Sequence, residues 1–144
     1  MNIKSLYTLL AFSGVVPFLA CALLPLIGID TLPRIGHLDE VANSYGLAII
    51  CFLSGIHWAQ HLHGKVAMPF NLMLSSNVIF LFAWFAFVLA ATNWSLALQI
   101  IALVAILLVD WRLTRAGIID AEYFRVRSIA TALASASLAT IILS

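Results

Sequence analysis

The chain has 144 residues, of which 64% are hydrophobic and only 9% charged. A soluble domain carries about 25% charged residues, and one this small lacks the interior to hide so much apolar surface, so a soluble globular fold is excluded. The formal net charge is +1, which leaves no broad basic face for nucleic acid.

Charge-free gaps set out the elements in chain order. No Asp, Glu, Lys or Arg falls between Lys4 and Asp30, between Glu40 and Lys65, or between Lys65 and Asp110. A membrane-spanning helix needs roughly 20 mostly apolar residues. The first gap predicts a span over 6–27. Pro17 is expected to kink it by removing a backbone donor, and Gly14 to let a neighbour approach. Phe18-Leu19-Ala20-Cys21 sets a cysteine behind a small residue, as lipoprotein signals do. Phe18 and Leu19 fit that signal poorly, so a retained helix is expected.

The second gap predicts a span over 41–62. The third is long enough for two spans, 69–91 and 93–111, turning at Thr92-Asn93-Trp94, with Pro69 in a first helical turn. A fifth span is expected over 121–143, N-capped by Asp120. Its small residues, Ala130, Ala132, Ala134, Ser135, Ala136, Ser137 and Ala139, suit close packing in lipid, against the bundle or a second copy of the chain. Cys21 and Cys51 both lie within spans and read as small packing residues. The fold class is therefore an all-α polytopic membrane helix bundle of about five transmembrane helices, forming one transmembrane domain.

Loop charges orient the bundle. With the N-terminus in the cytoplasm, the inner side holds Lys4, Lys65, Arg112, Arg115, Arg125 and Arg127, and the outer side only Arg34. The expectation is N-in and C-out.

Polar side chains inside a bilayer are costly and mark candidate sites. Counting from the short loop 63–68, Ser54, His57 and Asn77 fall at one depth in the inner half, and Asp110 enters from the same side. A functional polar cluster of Ser54, His57, Trp58, Asn77 and Asp110 is expected there, as a ligand or proton site. Interhelical hydrogen bonding is the plainer use of the same groups. Gln99 stands alone in the outer half and reads as a packing hydrogen bond. His57, His61 and His63 form H-x-x-x-H-x-H; His57 and His61 share a helical face, which makes the three weak candidates for a metal or haem. Arg112, Arg115, Arg125 and Arg127 are expected to contact lipid headgroups or a partner. The acidic outer loop, Asp30 to Asn43, reads as solvated. No phosphate-binding glycine loop, nucleophile elbow or H-E-x-x-H motif is present.

The stretch Ser44-Tyr-Gly-Leu-Ala-Ile-Ile-Cys-Phe-Leu-Ser-Gly-Ile-His-Trp58 resembles the central motif of a family of small bacterial inner-membrane proteins of unknown function. That family includes the mitochondrial transmembrane protein 69. Val16-Pro17-Phe18 is similar as well, as is Asp110 through Arg127, with its Asp-x-Arg-Leu start and Tyr-x-Arg-x-Arg end. The resemblance covers nearly the whole chain. It falls on Tyr45, Gly46, Gly55, His57, Trp58, Asp110, Arg112, Tyr123, Arg125 and Arg127, and assigns them no roles. His61 and His63 lie outside it, and Ala121-Glu122 stands where the family often has a proline. The resemblance implies a multi-pass protein of a bacterial inner membrane.

These readings converge on a non-enzymatic accessory membrane protein that binds a hydrophobic ligand or a partner complex. An oligomeric channel or small transporter, lined by Ser13, Ser54, Asn77 and Gln99, is the first alternative. A haem- or quinone-linked redox protein using His57 and His61 is the second.

Overall fold

A computed structural model describes residues 2–144. Six α-helices follow one another: α1 (Ile3–Ser13), α2 (Val16–Leu23), α3 (Leu38–His63), α4 (Leu72–Leu89), α5 (Thr92–Arg115) and α6 (Ala121–Leu143). A 3₁₀ turn over Leu24–Ile27 extends α2, so α1, α2 and this turn form one segment. With α3 to α6 that makes five segments long and apolar enough to cross a membrane. The chain is a multi-pass, all-α membrane bundle.

The first segment departs from a simply kinked helix. Pro17 has no N–H to give and its ring crowds the preceding turn, so the α-helix stops at Ser13 and restarts at Val16. At the break the Val15 amide bonds the Phe12 carbonyl at 3.1 Å, a tighter turn than α. The Gly14 carbonyl is met from outside, by the Tyr45 hydroxyl of α3 at 2.9 Å. Gly28, at φ 88°, ends the 3₁₀ turn in a left-handed conformation that suits a residue without Cβ.

Three boundaries shift for local reasons. Residues 31–37 form a small antiparallel hairpin, β1 (Thr31–Leu32) on β2 (Gly36–His37), and α3 starts directly behind it at Leu38. Asp39 and Glu40 thus lie in the first turn of α3, where carboxylates favour the positive end of the helix dipole, rather than in an open loop. Pro69 stays in the loop, because Asn71 caps α4 by accepting from the Leu74 amide at 3.0 Å. Residues 90–91 alone join α4 to α5, so Thr92-Asn93-Trp94 forms the first turn of α5 and not the hairpin. Asp120 occupies the N-cap position of α6 without a side-chain capping bond.

α5 sits at the centre, packed on α3, α4 and α6, and α6 also packs on α2. Its buried stripe is Leu96, Gln99, Leu103, Ile106, Asp110 and Leu113. Alternating steps of three and four keep such a stripe facing its neighbours along the whole helix. On α6 the matching stripe uses Ala130, Ala134 and Ser137, whose small side chains admit close neighbours. Large exposed apolar side chains such as Leu74, Val78, Trp84, Phe85 and Val88 cover α4. A lipid solvent stabilises that surface, where water would penalise it.

Candidate functional site

Lys4, Lys65, Arg112, Arg115 and Arg125 mark one end of the bundle, which we call the basic end; the hairpin marks the other. Two buried polar layers tie α3 to α5 between them.

The layer nearer the basic end is a triad of His57 and Arg127 hydrogen-bonded to Asp110. His57 Nε2–H donates to Asp110 Oδ1 at 2.8 Å, and Arg127 Nε donates to Asp110 Oδ2 at 3.2 Å. The side chains of His57, Asp110 and Arg127 are 1%, 4% and 11% exposed. A buried carboxylate is costly unless charge and hydrogen bonds compensate it, and here each oxygen has its own donor. The other ring nitrogen of His57, Nδ1, is buried without a partner among the described residues. One turn earlier the Ser54 hydroxyl is likewise buried and unpartnered.

The layer nearer the hairpin is uncharged. Ser95 Oγ donates to Asn43 Oδ1 at 2.7 Å, and Gln99 Nε2 donates to both Asn43 O and Asn43 Oδ1 at 2.8 Å. Gln99 is therefore a packing hydrogen bond, with Asn43 as its partner. Gly46 makes room for it: a Cβ there would strike the Gln99 amide. Asn43 and His57 are 14 residues apart on α3, which separates the layers by ~21 Å. Ile50, Leu53, Leu103 and Ile106 fill the space between.

Of the residues singled out in the sequence, His57 and Asp110 meet directly, and Ser54 lies buried one turn from them. Trp58 is exposed, and Asn77 is half-buried with no side-chain hydrogen bond among the described residues. Arg112, Arg115 and Arg125 are exposed at the basic end, Arg115 lying over the Trp111 ring at 5.3 Å. Arg127 turns inward instead, since it falls on the buried face of α6 beside Val126 and Ala130. The three histidines do not converge. His57 Nε2 is taken by Asp110, His61 Nδ1 accepts from the Leu72 amide at 3.3 Å, and His63 is exposed. Among the described residues no three His, Cys, Asp or Glu side chains gather as a metal site requires.

Two cavities open beside these layers. One, of about 430 Å³, runs between α1–α2, α3 and α6. Leu10, Ala11, Phe18, Ile49, Phe52, Val126, Ala130 and Ala134 line it, and Tyr7, Tyr123 and Arg127 stand at its basic end. Tyr7 and Tyr123 meet edge to face at 5.4 Å, and the Tyr7 hydroxyl is buried without a partner among the described residues. The other, of about 520 Å³, lies at the basic end between the last turns of α3, the loop 64–71 and the α5–α6 turn. Ser54, Asn77 and Gln99 line neither cavity, and Ser13 is exposed.

The family described as "Protein of unknown function (DUF3429)" matches residues 3–143. The chain belongs to that family. No curated protein and no solved structure matches it. In this DUF3429 chain, the Tyr45-Gly46 and Gly55-Ile-His57 steps do distinct work. Tyr45 secures the broken first segment, Gly46 admits the Gln99 bond, and His57 holds Asp110. Gly55 faces open space. Chemically, the triad fixes a guanidinium at the mouth of an apolar groove.

Proposed function

We propose that this DUF3429 protein is a non-enzymatic protein of the bacterial inner membrane that binds a lipid-like molecule in the groove between α1–α2, α3 and α6. The groove itself carries the reading. Its volume of about 430 Å³ falls within the 300–1,000 Å³ usual for small-molecule sites, and apolar side chains form most of its wall. From Tyr123 to Ala134 α6 rises ~16 Å, about half of a ~30 Å hydrocarbon core. That length suits the chain of a single-leaflet amphiphile. The Tyr7 hydroxyl offers an unmet hydrogen bond at the polar end. Asp110 already balances the charge of Arg127, so this end suits a neutral acceptor such as an ester carbonyl.

Ala11→Phe and Ala130→Phe each place an aromatic ring in the groove. Native mass spectrometry of the purified protein, with extraction of retained lipid, is expected to show lipid bound to the parent chain and lost from both variants. Circular dichroism checks that both remain helical. Unchanged lipid occupancy in both folded variants would sink the reading.

A further inference from the structure

We propose that the lipid-like ligand carries an anionic phosphate headgroup, held in the basic-end cavity by Lys65, His63 and the Gln60 amide. This rests on the groove reading and names its ligand. The cavity is about 520 Å³, and its polar lining consists of Gln60, His63 and Lys65 with backbone at Gly64 and Gly117. No acidic side chain among the described residues lines it. Among the described residues Lys65 makes no ion pair, whereas Lys4 is held by Glu122 and Arg127 by Asp110. Lys65 is thus an uncompensated cation beside an open space. Gln60 adds a buried amide oxygen without a hydrogen-bond partner. Turned about its terminal bond, the same amide presents two N–H donors to an anion.

Ile56 joins the two cavities, since it lines both. On α3, Ile49, Phe52 and Leu53 border the groove, Ile56 borders both spaces, and Ala59, Gln60 and His63 border the basic cavity. These positions recur every three or four residues and form one continuous track along the helix. An amphiphile with its chain against Ile49 and Phe52 has its headgroup carried past Ile56 toward Lys65. Basic recesses between membrane helices recognise phosphate headgroups in this way.

The test uses the full chain, delipidated in neutral detergent and titrated separately with phosphatidylglycerol, phosphatidylcholine and inorganic phosphate. The parent chain is expected to prefer phosphatidylglycerol. Lys65→Ala is expected to weaken phosphatidylglycerol binding roughly fivefold and leave phosphatidylcholine binding unchanged. Lys65 is exposed, so the variant keeps its fold. Equal binding of the two lipids, or a preference that survives Lys65→Ala, overturns the headgroup assignment. Inorganic phosphate that displaces phosphatidylglycerol at its own affinity overturns the lipid source in favour of a free anion. Ala130→Phe separates the two proposals: loss of both lipids supports the groove. Retention of both lipids, with the Lys65 dependence intact, rejects the groove and the continuous track together.

Discussion

At the residue scale the chain depends on a single buried carboxylate. Asp110 is the shared acceptor of His57 and Arg127 and joins α5 to both α3 and α6. Its removal leaves two buried donors facing each other with no acceptor. Breaking a buried pair costs about 3–5 kcal/mol, and Arg127 relieves part of this by swinging into the groove it lines, so Asp110→Ala is expected to cost about 3 kcal/mol. Unfolding in sodium dodecyl sulfate measures it. The Asp110→Ala, Arg127→Leu double variant is expected to recover part of the loss, because the two residues are coupled. Additive losses, or no loss in Asp110→Ala, contradict this account. Counting residues from the loop 63–68 sets Ser54, His57 and Asn77 at one depth with Asp110 entering from the same side; in the structure His57 bonds Asp110, whereas Asn77 makes no side-chain hydrogen bond among the described residues. The count did not reach Arg127, because two acids and two arginines surround Tyr123 at the start of the fifth span and read together as headgroup or partner contacts. Nor did it pair Gln99 with Asn43. Asn43 sits just behind an acidic stretch that reads as open loop, and only the helical start at Leu38 carries it to the depth of Ser95 and Gln99.

At the element scale the five spans were legible because charge is expensive in hydrocarbon and the gaps between charges match helix length. Their ends were less legible. A cap is a local hydrogen bond, and neither Asn71 at α4 nor the hairpin before α3 leaves a mark in hydropathy. Pro17 was visible, but its outcome depends on a tertiary partner. The break it causes exposes the Gly14 carbonyl, and the structure meets that need with the Tyr45 hydroxyl 31 residues away. Phe18 packs edge to face on the same ring at 5.0 Å. Tyr45→Phe keeps the ring contact and removes only the hydrogen bond. The expected loss is about 0.6 kcal/mol, the average for hydrogen bonds between membrane helices. Hydrogen exchange is expected to quicken in α1 and the first turn of α2, and to stay unchanged in α4. A uniform acceleration through all helices, or none at all, contradicts the role given to Tyr45.

At the scale of the whole molecule, apolar side chains cover the flanks and charge collects at the ends. Five of the seven lysines and arginines remain exposed at the basic end: Lys4, Lys65, Arg112, Arg115 and Arg125. The hairpin end keeps only Arg34, which stands at φ 67° in the turn between β1 and β2. Arg127, counted with the basic side in the sequence, is spent within the bundle, and the imbalance survives without it. A lysine or arginine excess in short loops keeps those loops in the cytoplasm, so the basic end, with both proposed polar sites, is expected to face inward. Cysteine labelling checks this directly. In a background with Cys21→Ala and Cys51→Ala, single cysteines at Arg34 and Ser144 are expected to react with a membrane-impermeant maleimide in intact cells. Cysteines at Lys65 and Ala116 are expected to react only after the membrane is opened. The reverse pattern would place the basic end outside. The phosphate headgroup would then have to come from the outer leaflet, and the charge imbalance would have failed as an orienting force in this chain.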